Sequence, residues 1–187
     1  MTPRDTSADP SRLGYAPEAG ERPHAYDPVT QPEYFEGVLS RRIGAFCIDF
    51  VMILGPILVL AVAIFVFGIV TIGFGWFLFP ILGPALLIWA LAYVAITMGA
   101  PESATLGMRV MGIEARTWYG APCYHLLGAV HAVCFWVTLS AFTPLILLVG
   151  LLNSRRRLAH DFLVGMVVVN SERRAADLYR VRNGGRY

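Results

Sequence analysis

The 187-residue sequence predicts an all-α integral membrane protein, a small helical bundle of three or four transmembrane or re-entrant segments with a short cytoplasmic loop or strand element. Two observations predict this class. Hydrophobic residues make up 56% of the chain and charged residues 15%, and the mean hydropathy is +0.58, well above the soluble average. In addition, residues 50–101 and 117–154 contain no Asp, Glu, Lys or Arg, and uncharged apolar runs of that length are typical of membrane spans.

Composition divides the chain into three regions. Residues 1–36 mix Pro, Gly, Ser and acidic residues without apolar periodicity, so we expect a disordered cytoplasmic tail. Residues 37–170 form the predicted transmembrane domain, and residues 171–187 a polar, basic C-terminal tail. Because no apolar stretch opens the chain, we expect no cleavable signal peptide and an N-terminus that stays on the side of synthesis.

The first two apolar segments predict a helical hairpin. The first runs over residues 43–69, about 40 Å of helix, which exceeds a hydrocarbon layer of about 30 Å. Pro56 offers a place to bend. The second span is predicted over residues 76–98. Residues 108–115 then alternate partly between apolar and polar positions, which predicts a short strand or an interfacial loop.

The third apolar run, residues 124–152, decides the topology. Arg155, Arg156 and Arg157 follow it directly, and positive charge favours the cytoplasmic side. A single span would place this triplet opposite Arg41 and Arg42, whereas two short helices that enter and return would keep all basic clusters on one side. The break at residues 140–144 favours the second alternative, with helices at residues 124–140 and 141–152. We therefore expect a bacterial inner-membrane protein with both termini in the cytoplasm.

Charged residues near the first and last apolar runs are the candidate site. Asp49 lies inside an apolar span, where a carboxylate is costly and needs a partner. Arg42 lies two helical turns earlier on the same face, too far for direct pairing. We therefore predict that Arg42 binds Asp161 and that Arg157 lies within reach of Asp49. His160 either completes this hydrogen-bond network or shuttles protons.

Three motifs occur in order along the chain and resemble those of the RDD family. They are Arg-Ile-Gly-Ala-Phe-Cys-Ile-Asp at residues 42–49, Thr-Leu-Gly-Met-Arg-Val-Met-Gly-Ile at residues 105–113, and Arg-Leu-Ala-His-Asp at residues 157–161. The resemblance covers about residues 37–170. It implies a small multi-span bacterial membrane protein, with transport suggested for the family and cation/proton exchange ascribed to some members.

The resemblance also assigns individual residues. Arg42, Asp49 and Asp161 correspond to the Arg and the two Asp after which the family is named. The family's loop between the second and third apolar runs is matched by Thr105, Gly107 and Arg109.

No pattern in the sequence predicts a cofactor, a metal site or an enzyme. The three cysteines have no paired spacing. His125 and His131 lie six residues apart without nearby Cys or carboxylates, which favours interfacial or packing roles. The Gly-rich stretches lack the Lys-Ser/Thr of a phosphate loop. We expect no nucleic-acid partner either.

Two functions remain open at this stage. In the first, Asp49 binds a proton or cation and the protein transports a small solute or exchanges ions, which with so few segments requires a homo-oligomer. In the second, the protein is a non-transporting scaffold or assembly factor, and Arg42, Asp49 and Asp161 form a structural ionic clasp. In both, the partners are the lipid bilayer and, at residues 155–157, anionic lipid head groups.

Overall fold

A computed structural model describes residues 25–152 and 154–184, without the side chains of residues 139–148. Residues 1–24 of the predicted disordered tail lie outside the described residues. Residues 25–36 correct that prediction, because they contain a 3-10 turn at Pro32–Tyr34 and the buried ring of Phe35. The predicted C-terminal tail likewise contains a helix, α6 (Glu172–Arg182).

Two long apolar helices form the predicted hairpin. Helix α1 (Val38–Val70) passes through Pro56 without ending. A 3-10 helix (Phe74–Ile81) follows the turn and continues into α2 (Leu82–Met98). These are two helices long and apolar enough to cross a membrane within the described part of the chain. Their outward side chains are largely exposed apolar groups, as expected for surfaces in contact with lipid.

The same helix–glycine–strand unit occurs twice after the hairpin. In the first unit, α3 (Leu106–Met111) leads through Gly112 into β1 (Ile113–Thr117). In the second, α5 (Ala159–Val164) leads through Gly165 into β2 (Met166–Asn170). Both glycines have φ near +67°, a left-handed conformation that ends a helix and that glycine adopts without strain. The region predicted as a short strand or loop at residues 108–115 is therefore the end of a helix followed by a strand.

The two strands pair with each other and close the end of the hairpin. They are antiparallel, and their register is symmetric, since the first residue of each strand faces the last of the other: Ile113 with Asn170, Thr117 with Met166. All five residues of β2 are buried, as its run of valines favours. We call α3, β1, α5 and β2 together the cap. The main cluster of buried side chains lies where the cap meets α1 and α2.

The third apolar run is one helical element, α4 (His125–Leu152), and not the two separate helices predicted at residues 124–140 and 141–152. Apolar residues on both sides favour helical structure, and an interior proline can kink a helix without ending it. Both of its ends lie at the capped end of the hairpin, as the predicted return of this run requires: His125 lies against Gly99 after α2, and Gly150 lies against Leu39 near the start of α1.

This arrangement gathers the basic clusters at one end of the bundle, as the sequence predicts. Arg42 at the start of α1 contacts Asp161 in the cap, and Arg155 and Arg157 lie over the Trp118 ring after β1. Helix α6 and the 3-10 turn cover the outer side of the cap, where Asn170 donates to the Glu33 carbonyl.

Candidate functional site

Asp49 connects three segments through its carboxylate. Its Oδ1 accepts hydrogen bonds from the Tyr93 hydroxyl of α2 at 2.6 Å and the Gly107 N–H of α3 at 2.8 Å. Its Oδ2 accepts one from the Thr105 hydroxyl at 2.6 Å. Three short hydrogen bonds to a carboxylate compensate for the contacts with water that it loses on burial. Asp49 therefore ties the first third of α1 to α2 and to the beginning of α3.

Local sequence explains why the first turn of α3 lies beside Asp49 of α1. Thr105 is the N-cap residue, and its hydroxyl also accepts from the Met108 N–H. Gly107 lies so close to α1 that an added Cβ would collide with the Ala45 carbonyl oxygen. The family loop residues thus act by close approach and hydrogen bonding to α1. Arg109 lies farther out, where it donates to the Ala104 carbonyl and faces Glu102.

Arg42 and Asp161 form the second connection. The guanidinium of Arg42 lies 2.5 Å from Oδ2 of Asp161, whose side chain is completely buried. The same oxygen accepts the Leu158 N–H at 2.9 Å. Burial opposes ionisation of Asp161, but the charge of Arg42 and the neighbouring imidazole of His160 hold its pKa below the ordinary range. The predicted contact between Arg42 and Asp161 is confirmed.

The predicted approach of Arg157 to Asp49 is wrong. The guanidinium of Arg157 donates to the carbonyls of Met166 and Asp161, each at 2.8 Å, and lies between the rings of Trp118 and Phe162. Arg157 precedes α5, so it can close the turn between α5 and β2 but stays within the cap. Its role is to hold the second helix–glycine–strand unit together.

His160 lies beside the ion pair with its imidazole buried. Its Nε2 is 3.5 Å from Oδ1 of Asp161, and its ring stands edge-on to His131 with a centroid distance of 4.9 Å. Burial lowers the pKa of His160 to about 4, so the imidazole is neutral near pH 7.

A cavity of about 370 Å³ connects the two carboxylate sites. It lies between α1, α2, α4 and α5, and most of its wall is apolar. Its polar lining consists of Arg42, Asp49, Thr105, His131 and His160. The space therefore has charged and imidazole groups on otherwise hydrocarbon-like walls, as in many ligand pockets.

The RDD family model matches residues 37–165, more than half of the chain. The chain belongs to the RDD family. In this RDD protein, the matched region begins just before α1 and ends at Gly165, so it contains the hairpin, both carboxylate sites and α5. No curated protein and no solved structure matches the chain.

Sequence reasoning missed two residues of this RDD site. Tyr93 is a single hydroxyl within an apolar span, and the unpaired carboxylate of Asp49 one helix away was the signal that could have found it. His131 was interpreted as an interfacial or packing histidine, because His160 and Asp161 are far from it along the chain. Only the return of α4 to the capped end brings these residues together.

Proposed function

We propose that this RDD protein is a non-transporting membrane scaffold or assembly factor, in which two carboxylate clasps fasten the cap to the membrane hairpin. The first clasp is Asp49 with its hydrogen-bond donors, and the second is Asp161 with Arg42. The observation that carries the proposal is that both oxygens of Asp49 accept hydrogen bonds, from Tyr93, Thr105 and Gly107. A transported cation or proton would compete with these donors and weaken the connection of α2 and of the beginning of α3 to α1. Asp49 is thus better suited to joining segments than to releasing an ion.

The second clasp supports the same proposal. Arg42 and Asp161 are both largely buried, and separating them would leave an uncompensated charge, which is strongly destabilising. A cap held this firmly offers a defined surface for another protein. We expect no enzymatic activity, because the sequence contains no catalytic motif.

Orientation belongs to the proposal as well. We infer a bacterial inner membrane with the cap and both termini in the cytoplasm, because arginines gather around the cap and the positive-inside rule favours the cytoplasmic side for such a cluster. Arg155 and Arg156 lie at that surface, where anionic head groups are the expected contact. The test uses a chain whose native cysteines are replaced. Asn183→Cys should react with a membrane-impermeant thiol reagent only after permeabilisation, whereas Ile72→Cys should react with it already in intact spheroplasts.

The central experiment compares the wild type and Asp49→Asn in proteoliposomes and in detergent. We expect neither protein to raise proton-coupled cation flux above that of empty liposomes. We also expect Asp49→Asn to lower the yield of folded protein, because an amide replaces one acceptor oxygen by a donor. Asp177→Asn, at an exposed carboxylate of α6, is the matched control and should behave like the wild type.

Transport remains the second candidate, and the cavity between the clasps favours it. Its polar groups line a space that could admit a small solute, in a homo-oligomer if a path through the membrane is needed. Flux by the wild type that Asp49→Asn abolishes, at equal folded yield, would replace the scaffold proposal by this one.

A further inference from the structure

Three potential metal ligands converge where α4 meets α5. Nδ1 of His131 lies 3.9 Å from Oδ1 of Asp161, and Nε2 of His160 lies 3.5 Å from the same oxygen. A ligand atom can be chosen from each of these three residues so that all lie within 4.8 Å of one another. Two imidazoles and one carboxylate are the ligand types that many zinc sites use.

Buried polar atoms in this cluster lack hydrogen-bond partners among the described residues. They include Nδ1 of His131 and Oδ1 of Asp161, which lie 3.9 Å apart. Nδ1 of His160 is also unsatisfied, but it is the other nitrogen of the ring, not the Nε2 that lies near Oδ1. Buried polar side-chain atoms are satisfied in the large majority of cases. The two exceptions at His131 and Asp161, on neighbouring atoms beside Nε2 of His160, indicate that a further group binds there.

The distances suit a metal ion better than direct hydrogen bonds. Separations of 3.5 and 3.9 Å are too long for a hydrogen bond between imidazole and carboxylate. Ligands about 2.0–2.1 Å from a tetrahedral ion lie roughly 3.3 Å apart. A small movement of the side chains of His131 and His160 would bring both nitrogens to that separation from Oδ1.

We propose that His131, His160 and Asp161 bind one divalent transition-metal ion of the zinc class. Oδ1 of Asp161 is the carboxylate ligand, and a fourth position faces the cavity that both histidines line. The ion would join α4 to α5 and thereby to the cap. This inference goes beyond the proposed function, since it holds for a scaffold and for a transporter.

The surroundings of Asp161 orient its carboxylate for this role. Arg42 and the Leu158 N–H both contact Oδ2, which leaves Oδ1 directed at the histidines. Partners of this kind fix the position of a ligand and tune the affinity of the site.

The same arginine determines which ions fit. A guanidinium this close repels any cation, so ions that bind mainly through charge, such as Mg²⁺ and Ca²⁺, are disfavoured. Zn²⁺, Ni²⁺ and Cu²⁺ gain from imidazole coordination and can offset this repulsion. We therefore expect a clear preference for imidazole-binding ions.

The test uses the full chain in nanodiscs, purified with an affinity tag that contains no histidine. After equilibrium dialysis against Zn²⁺, we expect one ion per wild-type chain. His131→Ala and His160→Ala should weaken binding by more than the roughly 10–100-fold that loss of an orienting partner costs. His125→Ala, at an exposed position of the same helix, is the matched control and should bind like the wild type.

A ligand exchange keeps the test decisive if an alanine variant fails to fold. In Co²⁺-loaded protein, His131→Cys should add a thiolate-to-cobalt charge-transfer band in the near ultraviolet, relative to the wild type, because a thiolate then binds the ion. His125→Cys should add none. Absence of bound Zn²⁺ in the wild type, binding unchanged in His131→Ala and His160→Ala, or no new band in folded His131→Cys would each overturn the proposal.

Discussion

The two ends of the α1–α2 hairpin are stabilised in different ways. At the capped end, buried side chains from distant segments meet: Asp49 joins α1 to α2 and α3, and Asp161 joins α5 to α1. At the turn end, Ile72 is 92% exposed and Phe77 80% exposed. The capped end therefore depends on specific polar contacts within the protein, whereas the turn end depends on its lipid or detergent surroundings.

The strongest way to break the capped end is to remove one partner of its buried ion pair. Arg42→Ala leaves the buried carboxylate of Asp161 without its cation, and we expect a loss of about 3–5 kcal/mol in the free energy of unfolding. Chemical denaturation followed by tryptophan fluorescence in detergent measures it. Glu36→Ala, which breaks the exposed ion pair between Glu36 and Arg182, should cost about 0–1 kcal/mol. Equal losses in the two variants would contradict the proposed clasp.

A double-mutant cycle tests the Asp49 connection. Asp49→Asn and Thr105→Val should each lower the free energy of unfolding by about 1–3 kcal/mol, because each leaves a polar partner unsatisfied. The losses should not add, and the double variant should deviate from additivity by about 0.5–3 kcal/mol. Strict additivity would mean that the 2.6 Å contact between these side chains contributes nothing to stability.

At the turn end, α1 packs closely against the 3-10 helix that follows it. A Cβ on Gly68 would collide with the Trp76 ring, whereas one on Gly83 would meet nothing within 4 Å. Gly68→Ala should therefore cost about 1–3 kcal/mol through overpacking. Gly83→Ala should be neutral or stabilise by up to about 1 kcal/mol through helix propensity. Thermal unfolding of both variants in one detergent decides between these outcomes.

The smallest effect is expected at a lipid-facing side chain of the turn end. Phe77→Leu should change the free energy of unfolding by less than about 0.5 kcal/mol, because the side chain packs against little of the protein. Val167→Ala, in the buried strand of the cap, should cost more, since it leaves a small cavity. A larger loss at Phe77 than at Val167 would reverse the contrast between the two ends.

The elements that the sequence predicted well are those that local patterns define. The hairpin followed from long uncharged apolar runs, and its second span ends at Met98 as predicted. The pairing of Arg42 with Asp161 followed from the cost of leaving either charge alone near the membrane. The grouping of basic residues at one end followed from the positive-inside rule, although the returning run was predicted as two helices and is the single element α4.

Composition alone dictates that this chain enters a membrane, because long apolar runs are stable only in an apolar environment. The tertiary structure decided which groups satisfy the charges, since hydrogen-bond partners such as Tyr93 for Asp49 lie far apart along the chain. It also decided that His131 meets His160 and Asp161, which no local spacing encodes. Arg157 shows the same limit, because the turn from α5 into β2 places its carbonyl partners and no local spacing specifies that turn.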